Sequence, residues 1–103
     1  MKEDLLKIIG KYGTSHQLKK LSEEIFEFQE AVTTHELKKS VEYEIPLTEI
    51  IGTKEHLIEE FADVCVVLEQ FKAYYDLDNE KIIETMKYKI ERQKKRMEDE
   101  NIK

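Results

Sequence analysis

The sequence predicts an all-α protein, an antiparallel helical bundle in a single domain covering residues 1–103, completed by dimerisation. Three observations point there. Three glycines and one proline leave too little turn punctuation for an all-β chain. A composition of 40% apolar and 39% charged residues is too apolar for a disordered chain. Apolar residues also recur at steps of three and four along most of the length. A few helices in so short a chain cover their own apolar surface poorly, so self-association is expected.

The first helix is expected over Lys2 to Tyr12, with Leu5, Leu6, Ile8, Ile9 and Tyr12 at helical spacing. Gly13 suits a left-handed C-cap, and Thr14 or Ser15 can accept N–H bonds from the next first turn. The second helix runs from His16 to Val32, with Leu18, Leu21, Ile25, Phe28 and Val32 as a bundle seam. His35 to Glu44 reads as a short separate helix stopped by Ile45-Pro46. Leu47, Ile50 and Ile51 follow as an apolar flap before Gly52-Thr53 caps the third helix.

That helix, Lys54 to Tyr75, is the most apolar segment and should be central. Asp76-Leu77-Asp78 forms the next turn, with Asp78 as N-cap. The last helix covers Asn79 to Glu98, with Ile83, Met86, Ile90 and Met97 as its seam.

A net charge of −6 disfavours nucleic-acid backbones and favours cations, so no nucleic-acid partner is expected. The basic run Lys94-Lys95-Arg96 reads as a solvated helix end, where cations suit the dipole. The single cysteine, Cys65, excludes an intramolecular disulfide and reads as a buried, inert thiol. Lys2, Glu3 and Asp4 precede only a short apolar stretch, and no segment approaches the ~20 apolar residues of a membrane span. A soluble, cytoplasmic protein without membrane partners is the expectation.

Two acidic clusters carry the chemistry: Glu23-Glu24-Ile25-Phe26-Glu27 and Glu60-Phe61-Ala62-Asp63. At about 100° per residue, Glu24 and Glu27 lie about 60° apart and one turn along. With Leu21 as the centre of the seam, Glu24 borders the buried stripe, level with Gln17 and Ala31, while Glu23 points towards solvent. Glu60 and Asp63 repeat the three-residue spacing on the third helix, where Asp63 is surrounded by apolar residues. An unpaired carboxylate in such surroundings costs several kcal/mol or takes up a proton. A hard divalent cation compensates it, and magnesium takes carboxylate oxygens and brings phosphorylated substrates. If the second and third helices pack antiparallel, the four acids meet.

Di-iron and zinc chemistry lack their ligands. The residues three before His16, His35 and His56 are Gly13, Val32 and Thr53, so no Glu-x-x-His motif exists. These histidines are expected at helix ends or on the surface, with His16 or His56 bordering a substrate. Lys89, Gln93 and Arg96 form a basic and polar strip beside the last helix's seam, of the kind phosphate oxygens need.

Together, Glu23-Glu24-x-x-Glu27, Glu60-x-x-Asp63 and Lys89-x-x-x-Gln93-x-x-Arg96 resemble the motifs of the MazG-like, all-α nucleoside triphosphate pyrophosphohydrolases. The resemblance covers His16 to Arg96 and includes Leu21-Ser22 before the first motif and Ala62-Asp63-Val64 closing the second. It implies a homodimer or dimer of dimers and Mg²⁺, with Mn²⁺ as substitute, held by Glu24, Glu27, Glu60 and Asp63. It also implies cleavage of a nucleoside triphosphate substrate between its α and β phosphates.

Glu23 or Glu27 would take the proton of the attacking water, and Lys89, Gln93, Arg96 and Gln17 would contact the substrate. Gln93 stands where asparagine is more usual, and the stretch between the acidic motifs is long enough for a substrate lid or dimer contact. Val66-Val67 replaces the Tyr-His pair expected of phosphoribosyl-ATP pyrophosphohydrolases. Phe26, Phe28, Tyr74 and Tyr75 are candidates to stack on the base. The rival expectations are a non-catalytic helical interaction module, its acids merely on the surface or in interhelical salt bridges with Lys89 and Arg96, and a metal-binding regulator that senses nucleotides without hydrolysing them.

Overall fold

A computed structural model describes residues 1–40 and 52–102, and every element among them is an α-helix. In chain order these are α1 (Lys2–Tyr12), α2 (Thr14–Ser40), α3 (Lys54–Tyr74) and α4 (Asn79–Ile102). The expected Ile45-Pro46 stop and the Leu47, Ile50 and Ile51 flap lie outside the described residues.

The helix ends follow local chemistry. Gly13 ends α1 with φ +86°, and its N–H donates to the Ile9 carbonyl at 2.8 Å. Its ψ of 157° takes the chain out extended rather than through the left-handed helical well, so α2 starts one residue later. Thr53 caps α3, its hydroxyl accepting the His56 N–H at 3.1 Å. Asp78 caps α4, its carboxylate accepting the Glu80 N–H at 2.9 Å.

Helix α2 corrects the expectation most. It is one helix through Ser40 rather than a helix ending at Val32 and a second starting near His35. Nothing between Val32 and Ser40 breaks it, and the Thr33 hydroxyl donates back to the Gln29 carbonyl within the helix.

Helices α1, α2 and α3 pack on one another, and α3 touches both others, so it is the central helix of the three. Their buried apolar residues are Leu5 and Ile9 of α1, Ala31 of α2 and Val67 of α3. The line of α2 facing α3 is not the predicted seam. Gln17, Glu24 and Ala31 are buried, whereas Leu18, Ile25 and Val32 are exposed. The predicted border of the stripe is the true centre of the contact.

Helix α4 packs against none of the other described helices. Its predicted seam, Ile83, Met86, Ile90 and Met97, is exposed, as are Phe61, Val66 and Leu68 on α3. Cys65 is half-buried rather than enclosed. No described helix is long and apolar enough to cross a membrane.

Candidate metal centre

Helices α2 and α3 run antiparallel in a single register. Gln17 meets Gln70, Glu24 and Glu27 meet Glu60 and Asp63, and His35 meets Gly52. The resulting seam carries buried polar residues, Gln17, Glu24 and Gln70, in positions where a two-helix contact ordinarily places leucine or isoleucine.

At the middle of this seam Glu24, Glu27, Glu60 and Asp63 converge. One oxygen from each lies within 4.8 Å of the others. These four residues are the ones that would hold a hard divalent cation, which takes carboxylate oxygens. All four predicted ligands are therefore brought together by the packing of two helices. Glu23, predicted as a base, is exposed and is not among the four.

Two of the acids are held in mirrored fashion. Lys20 Nζ, one turn before Glu24 on α2, donates to Glu24 Oε1 at 2.9 Å. His56, one turn before Glu60 on α3, places Nε2 3.2 Å from Glu60 Oε1. The second oxygens, Glu24 Oε2 and Glu60 Oε2, are buried with no hydrogen-bond partner. A buried carboxylate oxygen without a donor costs about 1–3 kcal/mol or more for a charged group, and a cation removes that cost. The donor set is all hard oxygen and fits magnesium or manganese.

The other two acids feel the crowding. The Glu24 carboxylate beside Glu27, with partial desolvation and Glu60 adding to it, pushes the Glu27 carboxyl above the usual range. Partial burial, followed by the nearby Glu24 charge, raises Asp63 in the same direction. Asp63 as a whole is exposed, contrary to the apolar enclosure expected from its neighbours, because Phe61, Ala62 and Val66 themselves face outwards. Lys20 shifts upwards through its hydrogen bond and ion pair with Glu24. It supplies a positive charge at the edge of the acids.

Two grooves flank the acids. One, of about 420 Å³, carries Glu24 and Asp63 at one end and is lined further along by Tyr12, His16, Gln17, Val66 and Gln70. Within it the Tyr12 and His16 rings stack at 5.1 Å. His16 Nδ1 lies 2.8 Å from Gln17 Oε1, and Gln17 Nε2 donates to Gln70 Oε1 at 2.8 Å. Both amides are buried. The other groove, of about 530 Å³, holds Glu27, Glu60, Phe26, Thr33, Thr34 and His56, and none of its described lining residues is a lysine or arginine.

Gln17, expected to contact substrate, lines this groove, as does His16, expected to border a substrate. Gln70 and Tyr12 were not expected there. Their signal was available, since Gln17 and Gln70 each lie seven residues, about 10.5 Å of helix, from an acid on the same face. Phe28 instead packs edge-on against Phe61, and Tyr74 and Tyr75 pack on each other beyond the groove. Lys89, Gln93 and Arg96 lie on α4 and line neither groove. No family model, curated protein or solved structure matches this chain.

Proposed function

We propose that the chain is a cytoplasmic, magnesium-dependent nucleoside triphosphate pyrophosphohydrolase of the MazG-like kind, releasing a nucleoside monophosphate and pyrophosphate, with nucleotide-pool cleaning as its role. One observation carries the reading. Four carboxylates from two antiparallel helices meet, and two of their oxygens are buried with nothing to bond.

The bound cation would offset the charge of the triphosphate and acidify the attacking water. The protein's own groups supply the rest. Glu24 and Glu60, each with one oxygen already engaged, present the other to the cation. Asp63 completes the set from the side of the groove. Glu27 lies at the exposed edge of the cluster, and its raised proton affinity suits it to accept a proton. It is the better base than Glu23, which stands outside the cluster.

The groove beyond Glu24 and Asp63 suits the nucleoside. It has an apolar wall in Val66, an aromatic face in Tyr12 and His16, and buried amides that orient a base through hydrogen bonds. Among the described residues, no lysine or arginine lines the opposite groove to meet phosphates. Lys89 and Arg96 of the partner subunit are the groups to fill that role in a homodimer. The unpaired seam of α4 is what the partner would cover.

The rival interaction module has the acids merely on the surface or in interhelical salt bridges with Lys89 and Arg96; against it, Glu24 is buried and pairs with Lys20, and Glu60 lies against His56. The deciding experiment is product analysis over a panel of canonical and modified (d)NTPs with Mg²⁺. Monophosphate and pyrophosphate are expected as products, with turnover lost in Glu24→Gln and Asp63→Asn while helical circular dichroism is kept. Full turnover in both variants removes the cation-centre model. Nucleotide binding without products favours a sensor.

A further inference from the structure

The groups behind Glu60 form a chain of hydrogen bonds that the proposed reaction does not itself use. Gly52, just before the Thr53 cap, sits at φ +86°, a conformation only glycine adopts freely. A Cβ there would lie 2.9 Å from Thr34 Cγ2 and 3.1 Å from the His35 nitrogen, so this backbone is pressed against α2. Its carbonyl lies 2.7 Å from His35 Nδ1, which must carry the proton because a carbonyl only accepts. Its N–H points at His56 Nδ1 across 3.3 Å. That contact makes Nδ1 of His56 the acceptor. The proton of the neutral ring is therefore on Nε2, the atom facing Glu60 Oε1 at 3.2 Å.

His56 is the third residue of α3, the place from which glutamate or glutamine in a capping box reaches back to a free N–H. A glutamate could serve the cap, but it would set a further negative charge one turn from Glu60. A histidine serves the cap with one nitrogen and Glu60 with the other. Its N–H engages Oε1 and leaves Oε2 as the buried oxygen with no partner.

We infer that His56 is a positioning residue, fixed by the Gly52 N–H and the Thr53 cap, that orients Glu60 so that Oε2 is presented to a divalent cation. The inference rests on reading the four acids as a cation centre. It extends that reading to groups that touch neither cation nor substrate. Hydrogen bonds behind metal ligands are worth about 10- to 100-fold in metal affinity.

The test measures Mn²⁺ affinity by the electron paramagnetic resonance signal of the free ion, alongside helical circular dichroism, on the full chain. His56→Gln keeps an N–H near the place of Nε2 and should bind within a few-fold of wild type. His56→Asn places its amide near Nδ1, short of Glu60, and should bind about tenfold or more weakly. In a Glu60→Gln background both changes should have no further effect, which separates action through Glu60 from a general loosening of the helix. Wild-type affinity in His56→Asn, or equal losses in the Asn and Gln variants, overturns the positioning role while leaving the cation centre intact. Absence of Mn²⁺ binding by the wild-type chain overturns both.

Discussion

At the scale of single residues, the site is a balance between carboxylates that repel one another and the few donors that restrain them. Lys20 and His56 each hold one oxygen from one turn away, and Glu27 and Asp63 are left to hold protons more tightly than usual. A carboxyl whose folded pKa is raised binds more protons folded than unfolded, between its ordinary and its raised value. Without a divalent ion, the contribution of Glu27 and Asp63 is therefore fully present at low pH and is lost as pH rises through the raised values. Melting curves in a chelator should show this slope reduced in Asp63→Asn. With Mg²⁺ the order reverses, because the ligands must be deprotonated to bind, so the rise in melting midpoint on adding Mg²⁺ should grow with pH through the same window. An equal Mg²⁺ response in wild type and Asp63→Asn would remove Asp63 from the ligand set.

At the scale of elements, the antiparallel register of α2 and α3 converts two local patterns into one site. Gly52 is its anchor at one end. Gly52→Ala has to adopt φ +86° and place a methyl against Thr34 and the His35 backbone. A loss of about 1–3 kcal/mol is expected from the strain alone, read as a lowered midpoint in urea. Unchanged stability would mean that the α2–α3 junction relaxes freely.

The α1, α3 and α4 helices and the Thr53 and Asp78 caps were legible in the sequence because caps and periodicity are local, whereas the expected break after Val32 and the Thr14 or Ser15 cap are not found among the described residues. The four acids were legible because i,i+3 spacing and helix geometry place them without knowledge of the partner helix. The centre of the α2–α3 contact was not. Hydrophobicity put it on Leu18, Leu21, Ile25, Phe28 and Val32, whereas packing put Gln17, Glu24 and Ala31 inside. A seam built to hold a charged ligand is polar, so the rule that finds ordinary seams finds the neighbouring face. For the same reason the buried Gln17–Gln70 pair escaped notice on α3, since a lone glutamine beside Phe71 reads as surface.

At the scale of the whole molecule, a single chain does not use its apolar surface. The radius of gyration is 18.0 Å, against about 13 Å for a compact domain of this length. The accessible surface is 8739 Å², against about 6,100 Å² for a compact chain of this mass. Ile83, Met86, Ile90 and Met97 on α4 and Phe61 and Leu68 on α3 are among the exposed residues, and Leu18, Ile25 and Val32 continue the pattern on α2. Covering such side chains contributes roughly 1.5–3 kcal/mol each, which favours burial against a partner.

The homodimer proposed above therefore has a definite dependence. Met86→Glu and Ile90→Glu place charges in the α4 seam without touching the acids, and light scattering should report a fall from dimer or higher order to monomer. Turnover should fall with them if Lys89 and Arg96 of the partner subunit supply the phosphate contacts, whereas Mn²⁺ affinity at the four acids should persist. Mixing a Glu24→Gln chain with an Arg96→Ala chain sharpens the point. Active sites that combine one chain's acids with the other's α4 regain turnover in a fraction of mixed dimers, while sites complete within one chain regain none. Recovery on mixing would tie the exposed seam of α4 to catalysis, and failure to recover would confine α4 to assembly.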